Sequence, residues 1–331
     1  MRITNKMLAN NFLRDNTTNL KNLSTLQTQM ATGKLIRKAS DDPAKASKIM
    51  QIYSDIDANK QYNDNITNTT NWLDMTDTAL GQVGNVTTRI QELLVSSGNA
   101  GYGPDEKAAI KDEINQKVGE LSQILNTTFD GKYIFGGTKG TSKPMDVKTI
   151  SATTGNTPNT QLMYSKADGT ELNLPGTTDN TDTDTKEYNQ INSKILVEVS
   201  QGVTMDYNVT ATDVVNYGTG DNNLMKLLGN ITSDLDSNNT TALISTDLTG
   251  IQAVMTNVLK LRSEVGAKQN RMDSALARNE DQNTNMTEVL SSTEDIDITQ
   301  KAMEYATMQT VYTASLQTSA KVIQPSLLDY L

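Results

Sequence analysis

The acidic segment DNTDTDT is the part of the chain whose residue types come closest to a metal site. Its aspartates, Asp179, Asp182 and Asp184, alternate with hydroxyl and amide side chains, as the oxygen ligands of a calcium loop do. No register of the segment supplies both the turn glycine and the closing bidentate glutamate that such a loop requires. We therefore expect no calcium site, and we interpret Thr177 to Thr185 as a solvated loop.

Carboxylates on one predicted helix could in principle act as the acid and base of glycoside hydrolysis. They are interleaved with lysines, and this spacing favours solvated i, i+4 ion pairs over an active site. The residues concerned are Asp105, Glu106, Lys107, Lys111, Asp112 and Glu113.

The cluster Gly136, Gly137 and Gly140 is not followed by the Lys-Ser/Thr pair of a phosphate loop, so we expect turns there.

Composition excludes several further classes of protein. The 331 residues include no cysteine and no histidine, which rules out disulfides, Cys/His zinc sites and imidazole or thiolate catalysis. With 29 basic and 39 acidic residues the net charge is -10, which repels nucleic acids and anionic lipid surfaces. No apolar run reaches the length of a membrane span, and the first residues lack the apolar core of a secretory signal. We expect no catalysis, no cofactor, no nucleic-acid binding and no membrane insertion.

Apolar residues recur at helical spacing in the first 125 residues. A short amphipathic stripe ends at Gly33 and includes Leu13, Leu20, Leu23 and Met30. A longer stripe steps by three and four for about four heptads, which predicts a coiled-coil seam. Its members are Ile66, Thr69, Leu73, Thr76, Leu80, Val83, Thr87, Ile90 and Leu94. A returning helix is predicted after Pro104, with Ile110, Ile114, Leu121 and Leu125 on one face.

The C-terminal part of the chain repeats this pattern. One seam runs through Ile251, Val254, Val258, Leu261, Val265, Met272, Ala275, Met286 and Val289, with polar interruptions at Lys268, Asn279 and Gln282. Ser291 to Glu294 then resembles a helix cap. A last stripe includes Ile298, Tyr305, Tyr312 and Leu316, and the chain ends in an apolar tail that contains Leu327 and Leu328.

Between these ends the hydrophobic period changes from helical to alternating. Residues 195 to 209 alternate on both sides of Ser200-Gln201-Gly202, which predicts a β-hairpin. Leu224 to Leu235 predicts one short helix. The fold class predicted is mainly α, an elongated coiled-coil bundle of paired N- and C-terminal helices with an inserted β-containing domain.

The chain has long apolar seams at both ends and few aromatic side chains. We therefore expect it to present more apolar surface than one molecule can cover. Such ends should pair with each other and then with neighbouring copies, as in an open helical assembly. A monomeric coiled-coil hairpin that carries a β module is the alternative.

The loop after the first stripe contains a short motif, in which Gly33 is followed by Ser40-Asp41-Asp42-Pro43-Ala44. This motif resembles the glycine turn and helix start of the flagellin superfamily. Asp41 or Asp42 can cap the new helix while Pro43 occupies its first turn. A second segment, with Gly131, Tyr133 and Phe135 in the pattern G-K-Y-I-F-G-G, is more similar to the junction branch of the superfamily than to flagellin itself.

This resemblance implies a structural protein of the bacterial flagellum, without catalysis. It implies export through the flagellar type III apparatus with a chaperone and without a cleaved signal peptide. It also implies an extracellular ring of copies at the hook-filament junction, in contact with hook-associated protein 1 and flagellin. Alternatives are flagellin, the bulk filament subunit, and a stalked extracellular adhesin or glycan-active enzyme.

The chain divides on this basis into five segments. They are an assembly helix and loop (1–43), coiled-coil helices (44–135), the insert (136–243), a C-terminal coiled-coil helix (244–292) and a C-terminal assembly helix (293–331). The resemblance implies that the two outer segments form the assembly interface. Its candidate residues are Leu13, Leu20, Leu23, Met30, Ile298, Tyr305, Tyr312, Leu316, Leu327 and Leu328.

Overall fold

A computed structural model describes residues 5–98, 102–150, 158–175, 177, 179–218 and 222–322. The helices are α1 (Asn5–Thr32), α2 (Pro43–Ser97), α3 (Pro104–Leu125), α4 (Asp182–Asn192), α5 (Ala211–Val215), α6 (Leu224–Asp236), α7 (Thr240–Ala242), α8 (Leu248–Glu294) and α9 (Ile298–Val322). The strands are β1 (Thr128–Phe129), β2 (Lys132–Tyr133), β3 (Met145–Ile150), β4 (Asn159–Tyr164), β5 (Leu196–Ser200) and β6 (Val203–Asp206). They form three antiparallel pairs, β1-β2, β3-β4 and β5-β6. The predicted mainly α class with a β-containing insert is confirmed.

Contacts divide the chain into two compact units. The terminal unit consists of residues 1–60 and 280–331, and the central unit consists of residues 61–279. Helices α2 and α8 contribute residues to both. This grouping differs from the five predicted segments, because the predicted insert shares one hydrophobic core with helices α3 and α8 and with the C-terminal part of α2.

Helices α2 and α8 run antiparallel within the central unit. Asp77 makes a bidentate ion pair with Arg262 at 2.8 and 3.0 Å, and Asp74 accepts a hydrogen bond from Gln269 at 2.7 Å. Residue numbers thus rise on one helix as they fall on the other. The predicted seams lie in the core, where Leu73, Leu80, Ile90, Val254 and Val265 have no exposed surface.

One expectation about the seams is wrong for this unit. We expected too few partners within one molecule, yet the seam residues between Ile66 and Ala275 are covered by the chain itself. The cover comes from α3, α6 and the strands, whose apolar residues belong to the same cluster. Periodicity alone could not reveal this, because it identifies a buried face and not the element that covers it.

The polar interruptions of the α8 seam bind the β5-β6 hairpin. Lys268 Nζ lies 2.7 Å from the carboxylate of Asp206, next to the end of β6. Asn279 is fully buried and donates from Nδ2 to the backbone carbonyl of Val199 at 2.8 Å. Lys268 and Asn279 therefore attach the β5-β6 strand pair to α8. From the sequence we expected them only to weaken a coiled-coil seam.

The lysines of α3 also differ from their predicted role. Lys107 and Lys111 are 5% and 2% exposed, so they are not part of a solvated face. Lys111 Nζ lies 2.6 Å from Asp236 at the end of α6, and Lys107 donates to Thr240 Oγ1 at 2.7 Å. Their long aliphatic stems are buried while the ammonium groups reach acceptors far along the chain. The i, i+4 prediction was wrong because those acceptors are distant in sequence.

The predicted solvated loop at Thr177 to Thr185 is in part the start of helix α4. Thr181 Oγ1 accepts from the backbone N–H of Asp184 at 3.2 Å, and the Asp184 carboxylate accepts from the Thr181 backbone at 3.0 Å. This is a capping box. Asp184 is fully buried and pairs with Lys166 at 2.7 Å, so its charge is used within the fold.

Candidate assembly interface

Helices α1 and α9 of the terminal unit pack along each other. Asn16 Oδ1 accepts a hydrogen bond from Ser315 Oγ at 3.4 Å across this pair. Half-buried positions on α1 recur at steps of three and four, which marks the face turned toward α9. They are Phe12, Asn16, Asn19, Leu23, Leu26 and Met30, and Thr28 and Gln29 near the end of the helix are half-buried as well.

The candidate interface residues divide into two groups. Leu23, Met30, Tyr305 and Tyr312 are half-buried. The others that the structure describes are exposed, with fractions of 57% for Leu13, 49% for Leu20, 63% for Ile298 and 41% for Leu316. Leu327 and Leu328 lie outside the described residues. The helix pair thus partly covers four of the eight described candidate residues and leaves the other four exposed.

Further exposed apolar side chains lie on the same two helices, and the sequence analysis did not single them out. They are Met7, Met303 and Val311, with exposed fractions of 57%, 62% and 46%. Burial of one such side chain contributes roughly 1.5–3 kcal/mol. The terminal helices therefore carry apolar surface that association could bury.

The loop from Gly33 to Asp42 is fixed by backbone hydrogen bonds. Gly33 has φ +71°, a left-handed conformation that ends α1, and its N–H donates to Gln29 O at 2.8 Å. Asp41 Oδ2 accepts from the backbone N–H of Lys38 at 3.0 Å. Asp42 Oδ1 accepts from the N–H of Lys45 at 3.1 Å, so Asp42 is the cap of α2, and Pro43 follows as its first residue. Ser40 is exposed. The motif thus sets the geometry of the loop.

A buried carboxylate joins this loop to the connection between α8 and α9. Glu294, 8% exposed, lies 2.7 Å from Lys34 Nζ and accepts a hydrogen bond from Tyr53 at 2.7 Å. Lys34 Nζ also lies 3.0 Å from the Tyr53 hydroxyl. Two backbone bonds flank the three side chains, from Leu35 N to Glu294 O at 2.6 Å and from Ile296 N to Gly33 O at 3.0 Å. We call Lys34, Tyr53 and Glu294 the clasp.

The clasp affects the acidity of its lysine. Hydrogen bonds to Glu294 and then to Tyr53 raise the pKa of Lys34 to about 12. Because the folded pKa lies above the unfolded value, the ion pair stabilises the fold fully below pH 10.5 and is lost as the pH rises through 12. The charge of Lys34 is therefore constant at physiological pH.

The predicted cap at Ser291 to Glu294 is wrong, because helix α8 continues through Glu294. The cap of α9 is Asp297, whose Oδ1 accepts from the backbone N–H of Thr299 at 2.8 Å and of Gln300 at 3.1 Å. Glu294 belongs instead to the clasp. Serines and threonines in this segment bond back to carbonyls of their own helix, as Thr293 does to Val289.

The second motif lies in the central unit and is structural. Asp130 and Gly131 have φ of 50° and 72°, and they form the tight turn between β1 and β2. Tyr133 is half-buried. Phe135 is fully buried, and its carbonyl accepts from Ala211 N at 2.8 Å. The motif therefore anchors a turn and a core ring of the central unit.

Neither a metal site nor a membrane span is found in the part of the chain that the structure describes. Among those residues no group of three or more acidic side chains could hold a metal ion. No helix there is long and apolar enough to cross a bilayer. The aspartates of the DNTDTDT segment are not gathered around a common centre, since Asp184 is directed to Lys166.

Two family models match the chain, the N-terminal helical region of bacterial flagellin over residues 3–140 and its C-terminal helical region over residues 248–331. Flagellar hook-associated protein 3 of Escherichia coli K12 is 24% identical over 95% of both chains. Flagellar hook-associated protein 3 of Salmonella typhimurium is 24% identical over 96% of both. The flagellin of Clostridium tyrobutyricum is 29% identical, but over 42% of this chain and 37% of its own length.

Solved structures share the fold. That of a flagellar hook-associated protein from Vibrio parahaemolyticus superposes with a TM-score of 0.58 at 20% identity, covering 77% of this chain and all of the other. Hook-associated protein 3 of Legionella pneumophila gives 0.55 at 12% identity, covering 74% and 98%.

The chain belongs to the flagellin superfamily, because both flagellin family models match its terminal helical regions. The paired terminal helices around an inserted β-containing part agree with this. Within that superfamily it resembles hook-associated protein 3 from end to end, whereas the flagellin of C. tyrobutyricum matches less than half of the chain. The predicted function, a structural hook-associated component of the flagellum, is thereby confirmed.

Proposed function

We propose that this chain forms a ring at the hook end of the flagellum, between hook-associated protein 1 and flagellin. The whole-length resemblance to hook-associated protein 3 supports this position. Export through the flagellar type III apparatus with a chaperone, and an extracellular location, belong to the same proposal. The terminal helices would contact neighbouring copies and the adjoining proteins.

The observation that carries the proposal is the distribution of exposed apolar side chains. Ten of the seventeen large ones among the described residues lie in the terminal unit, although it is the smaller unit. They are Met7, Leu13, Leu20, Met50, Tyr53, Val289, Ile298, Met303, Val311 and Leu316. Apolar surface of this kind marks interaction sites.

A pair of substitutions tests the interface. Leu13→Ser combined with Leu20→Ser should reduce incorporation of the protein into isolated flagella, because both side chains lose the apolar area that a neighbour would bury. Leu259→Ser is the matched control, since Leu259 is 64% exposed on α8 of the central unit. Incorporation is measured by immunoblot. Equal incorporation of the double variant and the control would show that Leu13 and Leu20 of α1 are not part of the interface.

The apolar tail is part of the same proposed interface. Deletion of residues 324–331 should leave the central unit folded and prevent incorporation at the hook end. Circular dichroism checks the fold, and swimming in soft agar checks assembly. Recovery of motile cells with normal filaments would show that the tail is not an assembly element.

Location along the flagellum separates a junction protein from bulk flagellin, the other candidate. Immunogold labelling should mark one point next to the hook. Labelling along the full filament, together with seeded growth of filaments from the purified chain alone, would favour flagellin. A flagellin and a flagellar filament core protein that match 42% and 38% of the chain, at 29% and 32% identity, are the reason to keep this candidate.

We also propose that the chain is not an enzyme. The family consists of structural flagellar proteins. Two of the candidate carboxylates have structural roles, since Glu113 pairs with Arg89 at 2.7 Å and Glu106 accepts from the backbone N–H of Gly103 at 2.8 Å. Glycan turnover that disappeared when one carboxylate of the insert was replaced would contradict this.

A further inference from the structure

A concave surface of the terminal unit carries an excess of positive charge. The cavity has a volume of about 560 Å³ and is lined by the last turns of α1, the loop and the first turn of α2. Four exposed cations surround it, Lys21, Arg37, Lys38 and Lys45. We call these four residues the basic rim.

The basic rim has no ionic partner among the described residues. No carboxylate there lies within 4.0 Å of any of the four, whereas Lys34 beside them is paired with Glu294. The acids of the cavity, Asp41 and Asp42, accept hydrogen bonds from backbone N–H groups of the loop and of α2. Their charges offset the rim only in part, and four unpaired cations remain in a chain of net charge -10.

The same unit carries a row of acidic side chains on α8. Asp281, Glu288 and Asp295 follow each other at intervals of seven residues, Asp295 directly after the last helical residue. This spacing returns to one face of a helix. All three are exposed, and none makes an ion pair with a described residue. From residue 280 to residue 300 the sequence contains no lysine or arginine. We call these three residues the acidic row.

We propose that the basic rim of one copy receives the acidic row of a second copy. Copies that each carry a net charge of -10 repel one another, so close packing needs patches of opposite sign that meet locally. Complementary patches also fix the register between neighbours. This inference rests on the proposed assembly of copies into a ring and names the surface through which they meet.

Cysteine cross-linking tests whether the two surfaces meet, because the chain has no cysteine of its own. Lys45→Cys and Glu288→Cys are expressed together in cells that lack the chromosomal copy. Isolated flagella are treated with a short bis-maleimide and analysed by immunoblot. A cross-linked dimer is expected only when both variants are present. The matched control replaces Lys45→Cys by Lys143→Cys, at an exposed lysine of the central unit.

Each outcome of the cross-linking is decisive. Protein in the flagella without a specific dimer overturns the inference while the proposed function stands. If the cysteine variants are not incorporated although the wild-type chain is, the same cross-linking at Arg37→Cys with Asp281→Cys decides the inference, because both residues are exposed members of the same two surfaces. Absence of the wild-type chain as well contradicts the proposed function. A cross-link from either cysteine to a different flagellar protein shows another partner and also overturns the inference.

Charge exchange provides the second test. Lys38→Glu with Lys45→Glu should reduce incorporation about tenfold or more, and so should Asp281→Lys with Glu288→Lys. The four substitutions together should recover most of it, because the opposite charges meet again. Thermal unfolding of each variant controls for the fold. No recovery in the fourfold variant, with its fold intact, would contradict the pairing.

Discussion

The fold strongly changes the acidity of the Asp247 carboxyl group. It is 2% exposed, lies in the π-helical turn Leu243–Asp247, and its Oδ2 has no hydrogen-bond partner among the described residues. Burial and then the neighbouring Asp234 raise its pKa to about 7. Tyr217 also lies close enough to interact with it. Between pH 3.8 and about 7 the folded protein therefore holds on Asp247 a proton that the unfolded chain has released.

Substitution of Asp247 should change the pH dependence of stability. The stabilising contribution of Asp247 should fall as the pH rises from 3.8 to about 7, since this carboxyl group binds more protons in the folded state in that range. Asp247→Asn should remove this fall and raise the free energy of unfolding at pH 8 by about 1–3 kcal/mol. Urea unfolding at pH 5 and pH 8 measures it. Asp273→Asn, at an exposed carboxylate of α8, should leave the profile unchanged.

Gly137 offers a second prediction at the residue scale. It has φ +57°, and an added Cβ would lie 2.4 Å from the carbonyl oxygen of Gln190. Gly137→Ala should therefore cost about 3 kcal/mol or more, the sum of backbone strain and a clash. Gly202→Ala isolates the strain, because Gly202 has φ +71° and open space around it, and about 1 kcal/mol is expected. Urea unfolding measures both variants. Similar losses of unfolding free energy in Gly137→Ala and Gly202→Ala would show that the clash is not the cause.

The clasp provides the prediction at the scale of elements, because it joins the α1-α2 loop to the α8-α9 connection. Glu294→Gln should weaken the hydrogen bonds to Lys34 and Tyr53 and cost about 1–3 kcal/mol locally. The backbone N–H of Leu35, which donates to Glu294 O, should exchange with solvent faster. Glu288→Gln, on the exposed face of the same helix, is the control. Unchanged exchange at Leu35 in both variants would contradict the role of the clasp.

How much of each element the sequence predicts depends on the distance over which its contacts act. The Gly33 turn, the β5-β6 hairpin and the short helix α6 are encoded within a few residues and were predicted. The cap of α2 was predicted as Asp41 or Asp42, and it is Asp42. The β3-β4 pair was missed, since its strands lie on either side of an unpatterned polar segment.

Contacts between remote residues could not be predicted. The partner of Lys111 is Asp236, and the partners of Lys34 are Tyr53 and Glu294. A lysine on a helix appears in the sequence only as a charge, and the fold decides whether it is solvated or buried. The exposed side chains of α1 and α9 were predicted as a stripe, but which of them face the partner helix depends on the packing.

At the scale of the whole molecule, the two units should differ in local stability. Core residues of the central unit such as Leu80 and Val254 are fully buried, whereas α1 and α9 leave Leu13 and Ile298 exposed. Hydrogen exchange with mass spectrometry should give fast exchange over residues 5–32 and 298–322 and slow exchange over 66–94 and 251–275. Uniform protection along the purified chain would contradict a marginal terminal unit and with it the expectation that neighbours stabilise it.

The two contacts from α8 to the β5-β6 hairpin fix a distance along that helix. Lys268 and Asn279 are eleven residues apart, which is three turns at 3.67 residues per turn, so both side chains emerge on one side about 16 Å apart. An insertion or deletion between them preserves both attachments only if the strand pair changes to match. Deletions of three or four residues here should therefore displace one of the two attachments, together with the buried side chains of Met272 and Ala275 that lie between them.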